Sequence, residues 1–68
     1  MYALNSRLSH REREVLSLVA LGYSDRKIAE QLTISTRTVN RHLSNIFLKF
    51  AVSGRTAAIT HAIRRGLV

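Results

Sequence analysis

Apolar and polar side chains alternate along residues 36–50 with the period of an α-helix. On a wheel of about 3.6 residues per turn, one stripe collects the apolar residues Val39, Leu43, Ile46 and Phe50. The opposite stripe collects the hydrogen-bonding residues Arg37, Asn40, Arg41 and Ser44. The pattern predicts an amphipathic helix over residues 36–50 that packs on a core through one stripe and presents the other.

The polar stripe has two interpretations. The first is a polar face that is simply exposed to solvent, which would account for the amphipathic pattern by itself. However, the stripe holds no acidic residue, whereas a solvated helix usually mixes Glu with Lys for i, i+4 support. Arg and Asn are also the residues that make paired hydrogen bonds to guanine and adenine edges in a DNA major groove. We therefore favour Arg41 as a guanine contact and Asn40 as an adenine contact, and we assign Arg37 equally to a base or a phosphate.

The sequence before this stretch predicts a first helix over residues 10–21. Ser9 and Glu12 match a capping box, in which each side chain bonds the backbone amide of the other residue. Gly22 follows the apolar pattern, at the position where a left-handed backbone ends many helices.

A second, shorter helix is predicted over residues 25–32. Ser24 is its expected N-cap, and Ser35 is the expected N-cap of the helix over residues 36–50. A turn of about three residues joins the two helices, which is the spacing of a helix-turn-helix.

A fourth helix is predicted over about residues 55–65, with Gly66 closing it. The residues expected to face the core are Ala58, Ile59, Ala62 and Ile63. The other side faces solvent or a second subunit, a choice that periodicity does not make, and consists of Ala57, Thr60, His61 and Arg64. No strand pattern occurs, so the predicted fold class is all-α with four helices.

Charge is distributed unevenly along the 68 residues, whose net charge is +7. All four acidic residues lie within residues 1–30 beside five basic ones, whereas residues 31–68 hold six basic residues and no acid. Such an excess indicates a polyanionic partner, best matched by nucleic acid. An anionic membrane surface fits less well, because the second half has few large apolar residues to spare for insertion, so we expect no membrane partner. No apolar run approaches the roughly 20 residues of a membrane span, so we expect a cytosolic protein.

Residues that could perform catalysis or hold a cofactor are not grouped. Cysteine is absent, which removes disulfides and thiolate ligands. The histidines are far apart and lack clustered carboxylates, so we predict no metal site at His10, His42 or His61. The three glycines fall at helix ends and form no phosphate loop. We expect neither an enzyme nor a cofactor.

The residues resemble the LuxR-type (LuxR/FixJ) helix-turn-helix over residues 8–68. The similarity is carried by Leu8-Ser9-His10-Arg11-Glu12-Arg13-Glu14-Val15-Leu16, Ile28-Ala29, Ile34-Ser35, Thr38-Val39, His42, Asn45-Ile46, Lys49 and Arg55. It implies the DNA-binding domain of a bacterial transcription regulator, with the third helix in the major groove and dimerisation through the fourth. Residues 1–7 would then form a flexible N-terminal segment or the remnant of a linker.

The resemblance also implies which residues contact bases, phosphates and the second subunit. The family's base-contact positions fall on Asn40, Arg41 and Ser44, and Arg37 lies beside them on the helical wheel. Phosphate contacts fall on Ser24, Lys27, Thr36, Thr38, Lys49 and Arg55. The dimer interface falls on Ala57, Thr60, His61 and Arg64. The implied partners are double-stranded DNA and a second copy of the chain, with RNA polymerase as a further candidate and the nucleoid as the location when bound.

Three departures from the family pattern bear on DNA recognition. Asn40 stands where the family usually has Lys, so the preferred base sequence is expected to differ. The frequent Asn-Lys-Glu after the second N-cap is replaced by Asp25-Arg26-Lys27, which adds positive charge where phosphates are expected. Leu48 lies on the same face as Arg41, where it contacts a thymine methyl or, as we favour, is simply exposed.

Two alternative functions remain open from the residues. One is the promoter-reading helix-turn-helix of a sigma factor, which shares much of the pattern. The other is a protein-interaction module that pairs through the fourth helix.

Overall fold

Four α-helices and no strand occur in residues 7–68, the part of the chain that the computed structural model describes. In chain order they are α1 (His10–Ala20), α2 (Asp25–Leu32), α3 (Thr36–Phe50) and α4 (Arg55–Arg64). The all-α prediction is confirmed. The predicted ends of α1 and α4 were one residue too long, because Leu21 and Arg65 are C-caps. The expected flexible segment over residues 1–7 lies outside the described residues, except for Arg7.

Serine side chains begin the first three helices, as predicted. The Ser9 hydroxyl accepts from the amide of Glu12 at 3.1 Å, and the Glu12 carboxylate accepts from the amide of Ser9 at 2.9 Å. The Ser24 and Ser35 hydroxyls cap α2 and α3 by accepting from amides three residues further on. Each bond satisfies a backbone donor that the helix itself leaves free. Gly54 precedes α4 without a side-chain cap.

The helices end in left-handed residues, two of which are not glycine. Gly22 follows α1 with φ of 89°, as predicted. Thr33 follows α2 with φ of 58°, and Ala51 follows α3 with φ of 57°. A side chain in this conformation costs about 1–2 kcal/mol because Cβ crowds the next carbonyl. The residue after each turn anchors it, since the amides of Ile34 and Val52 donate back to helix carbonyls and both side chains pack against the core.

The core lies around α3, which packs against each of the other three helices. Its predicted apolar stripe is buried along its whole length. Within residues 7–68, the buried apolar residues are Leu8, Val15, Leu16, Val19, Ile28, Ala29, Val39, Leu43, Ile46, Phe50, Ala58 and Ala62. One face of α3 is thereby fixed toward the interior, and its opposite face is fixed outward.

One predicted core residue is not in the core. Ala58 and Ala62 are buried and Ile59 is partly buried, but Ile63 is 62% exposed. The reason is that α4 rests on the core through its two alanines, whose small side chains allow close approach. Ile59 packs against the edge of the core and is partly buried. Ile63, one turn further along α4, points outward.

Candidate nucleic-acid interface

The outward face of α3 presents the four predicted base-contact residues together. The side chains of Arg37, Asn40, Arg41 and Ser44 are all exposed. Their orientation follows from the burial of Val39 between them, which has no exposed surface. No acidic residue occurs anywhere in α3. The face therefore offers guanidinium, amide and hydroxyl groups with no carboxylate to repel a polyanion.

The starts of α2 and α3 carry four of the predicted phosphate-contact residues. Ser24, Lys27 and Thr36 are exposed, whereas Thr38 is partly buried. The Thr38 hydroxyl lies 3.0 Å from the Ser35 hydroxyl, so part of its hydrogen-bonding capacity is used within the cap. Helix N-termini concentrate free backbone amides and a partial positive charge, which suits phosphate oxygens.

Lys49, a fifth predicted phosphate contact, is held by an intramolecular ion pair. Its Nζ donates to Glu12 Oε1 at 2.7 Å and to the carbonyl oxygen of Arg7 at 3.1 Å. The Glu12 side chain is only 6% exposed and the Lys49 side chain 25%. The pair joins the start of α1 to the last turn of α3. Sequence reasoning assigned Glu12 to the cap alone, since 37 positions separate the two residues and no local pattern links them.

The environment of Glu12 lowers the pKa of its carboxyl group. Burial is the largest single influence and raises the pKa, because it disfavours the charged form. The hydrogen bonds from Lys49 and Ser9, together with the positive charge of Lys49, favour the carboxylate and outweigh burial. The charged pair is therefore the stable form of this contact at neutral pH.

Arg55, the sixth predicted phosphate contact, also pairs with an acid. Its Nη2 donates to Asp25 Oδ1, which connects the first turn of α4 to the first residue of α2. Both side chains are partly exposed. Thirty positions separate the two residues, so no sequence pattern indicated this contact between α2 and α4.

The outer side of α4 presents most of the residues predicted for a dimer interface. Ala57, Thr60 and Arg64 are exposed, but His61 is partly buried. The His61 ring packs on Phe50 with centroids 4.3 Å apart and an interplanar angle of 32°. Ile63 lies exposed on the same helix and was missed, because its apolar character pointed to the core.

The remaining features are the exposed Leu48, the spacing of possible metal ligands and the lengths of the helices. Leu48 is 76% exposed at the end of α3 that is remote from Arg37. Within residues 7–68, no three His, Asp or Glu side chains are grouped so that they could hold a metal ion. None of the helices in that range is long and apolar enough to cross a membrane.

Comparisons with known proteins agree with the helix-turn-helix arrangement of α2 and α3. The sequence model for "Bacterial regulatory proteins, luxR family" matches residues 6–62. The transcriptional regulatory protein DegU of Brevibacillus brevis is 49% identical over 61 residues, which is 90% of this chain and 26% of that protein. The response regulator VraR of Staphylococcus aureus is 43% identical over the same share of the chain and 29% of its own length. The chain thus spans under a third of these curated relatives.

Two solved structures are similar to this chain in both fold and sequence. The response regulator ChrA of a heme-sensing two-component system superimposes with a TM-score of 0.87 at 45% identity, covering 91% of this chain and 31% of ChrA. The transcription factor GerE superimposes with a TM-score of 0.84 at 45% identity, covering 88% of this chain and 90% of GerE. The chain therefore belongs to the luxR family of bacterial regulatory proteins and forms its helix-turn-helix DNA-binding domain, which is not an enzyme.

Proposed function

We propose that this domain binds double-stranded DNA sequence-specifically, with α3 in the major groove and two copies on each site. The observation that carries the proposal is the outward face of α3, where four exposed hydrogen-bonding side chains stand without any acid. The match to the luxR family favours this function over the promoter-reading domain of a sigma factor. A regulator bound near a promoter also comes within reach of RNA polymerase, the further partner that we propose.

The dimensions of α3 suit the major groove. A groove about 12 Å wide admits one helix. At about 1.5 Å per residue, Arg37 and Ser44 are separated by roughly 10 Å along the axis, which corresponds to about three base pairs. Arg41 lies centrally on this face and is our guanine reader, with Asn40 as the adenine reader. Arg37 and Ser44 extend the contact at either end.

Phosphate contacts from the flanking helix starts would fix α3 in the groove. Ser24, Lys27 and Thr36 are exposed there, and Thr38 is partly buried beside them. Lys49 and Arg55 remain part of the proposal as weaker contributors, because each already neutralises a carboxylate within the fold. Lys27 is therefore the lysine that we expect to contribute most to sequence-independent affinity.

The second copy is proposed to pack on α4. Ala57, Thr60 and Arg64 are exposed on this helix, and the exposed Ile63 supplies the apolar surface that the sequence prediction lacked. His61 contributes only its outer edge, since the ring packs on Phe50. Two domains related in this way would read half-sites about one helical turn, or roughly 10 base pairs, apart.

Substitutions on α3 and α2 separate base reading from phosphate binding. We expect Arg41→Ala to cost about 1–3 kcal/mol on a duplex selected from a random pool and to change little on a random duplex. Lys27→Ala should weaken both duplexes alike and flatten the slope of log affinity against log salt by about 0.9. Both effects are measured by fluorescence anisotropy.

The matched control is Arg65→Ala, which removes one exposed guanidinium at the C-cap of α4. It should cost less than Arg41→Ala on the selected duplex and less than Lys27→Ala on both duplexes. Equal losses from Arg41→Ala and Lys27→Ala on selected and random duplexes would contradict the separate roles assigned to the two residues.

A further inference from the structure

Lys27 in the first turn of α2 and Arg55 in the first turn of α4 differ in whether an acid holds them. Lys27 is exposed and forms no side-chain ion pair or hydrogen bond within the described part of the chain. Arg55 reaches the same helix end from α4, but its Nη2 donates to Asp25. Lys27 and Arg55 thus differ in how much positive charge each can offer to an anion.

We propose that Asp25 is an affinity-setting residue, which limits DNA backbone binding by holding the guanidinium of Arg55. The inference rests on the proposed function and concerns the strength of the same interface. A pair of opposite charges is neutral at a distance, so Arg55 paired with Asp25 attracts phosphates far less than a free Arg does.

Exposure of the pair makes release of Arg55 feasible. Both side chains retain solvent-accessible surface, with 40% for Arg55 and 31% for Asp25. Exposed pairs of this kind contribute little net stability. Asn at position 25 would keep the size of the side chain and a carbonyl oxygen, but it would remove the charge that holds the guanidinium. Arg55 would then be free to make a bidentate contact with a phosphate.

A second acid on α2 provides a matched control. Glu30 lies near the C-terminal end of the helix and contacts only Arg26, at 3.8 Å and with both side chains largely exposed. Glu30→Gln changes the net charge by the same amount as Asp25→Asn. It does not release Arg55, and it changes Arg26 little, because the side chain of Arg26 is already 87% exposed in its long contact with Glu30. The two substitutions therefore distinguish release of Arg55 from a general gain of positive charge.

The test measures anisotropy of a labelled random-sequence duplex of about 30 base pairs, long enough for two half-sites, across a series of salt concentrations. We expect Asp25→Asn to steepen the log–log salt slope by about 0.9 and to raise affinity about fivefold to tenfold near 0.1 M salt. Glu30→Gln should leave the slope close to that of the unmodified chain. The double variant Asp25→Asn, Arg55→Gln should lose the gain, because the released cation is absent.

Three results would overturn the inference. They are an unchanged slope for Asp25→Asn, an equal gain for Glu30→Gln, and a gain that persists in the double variant. Thermal unfolding of each variant, followed by circular dichroism, establishes that the compared chains are folded at the assay temperature. Failure of the unmodified chain to bind duplex DNA at low salt would instead contradict the proposed function, which keeps the two failures distinguishable.

Discussion

Glu12→Gln tests how the start of α1 holds the last turn of α3. The glutamine keeps the size of the side chain, and its amide oxygen can still accept the hydrogen bond from the Ser9 amide. What it removes is the negative charge that faces Lys49 Nζ at 2.7 Å. The substitution therefore isolates the charge of the pair from the capping bond, and it leaves a lysine ammonium beside a neutral group.

The expected loss follows from the burial of the two side chains. Removing one partner of a fully buried ion pair costs about 3–5 kcal/mol, whereas an exposed pair contributes about 0–1 kcal/mol. The Glu12 side chain is almost fully buried, but the Lys49 side chain is 25% exposed. The ammonium group of Lys49 can therefore be partly hydrated once its partner is neutral. We therefore expect a loss of about 2 kcal/mol in the free energy of unfolding, which lowers Tm by roughly 10 °C in a domain of this size.

Urea and thermal denaturation at pH 7, followed by circular dichroism, measure this loss. The control is Glu14→Gln on the same helix, where the carboxylate pairs with Arg11 at 3.1 Å and is more exposed than Glu12. Its effect should stay within about 0.5 kcal/mol. If Glu12→Gln is no less stable than Glu14→Gln, the pair does not hold α3 and the reasoning is refuted.

The same pair predicts a dependence on pH. The pKa of Glu12 is lower in the folded chain than its ordinary value of 4.5. Its carboxylate therefore contributes stability in full above that value and loses the contribution as pH falls through the lowered pKa. The difference in unfolding free energy between the unmodified chain and Glu12→Gln should be constant near neutral pH and shrink in the acid range. A difference that grows on acidification would have the wrong sign.

Three further substitutions test the turns, the core and the exposed side of α4. Ala51→Gly should raise the free energy of unfolding by about 0.5–1 kcal/mol in urea denaturation, because glycine adopts positive φ without steric cost; a loss of stability would contradict this. Ala62→Leu should lower it by about 1–3 kcal/mol, since a side chain with no exposed surface has no room to grow; an unchanged value would mean that α4 packs loosely. Ile63→Ser should change it by less than about 0.5 kcal/mol but weaken self-association on DNA in analytical ultracentrifugation, and unchanged association would exclude this residue from the dimer interface.

Local signals predicted most of the fold because each depends on neighbours in the sequence. The serine caps act over three positions, and the buried stripe of α3 follows from one helical period. The outward direction of Arg37, Asn40, Arg41 and Ser44 is the geometric consequence of that stripe. These elements could be derived before any tertiary contact was known.

Contacts between distant residues could not be derived in the same way. Lys49 bonds Glu12, which is 37 residues away in the sequence, and Arg55 bonds Asp25, which is 30 residues away. Neither spacing has a signature that the sequence alone reveals. Both bases looked free in the sequence. Ile63 was misplaced for a related reason, since only the packing of α4 decides which of its apolar residues are covered. The sequence thus predicts which faces exist, and tertiary packing decides which charges and apolar groups remain available on them.

Selection of binding sites from a random pool of duplex DNA, at near-physiological salt, tests the central claim that the outward face of α3 reads base sequence. We predict that the unmodified chain recovers an inverted repeat with half-site centres about 10 base pairs apart. Arg41→Ala should recover the same repeat with the preference relaxed at one position in each half-site. Salt-sensitive binding without any recovered motif would contradict the claim, because it would leave only attraction between a basic surface and phosphates.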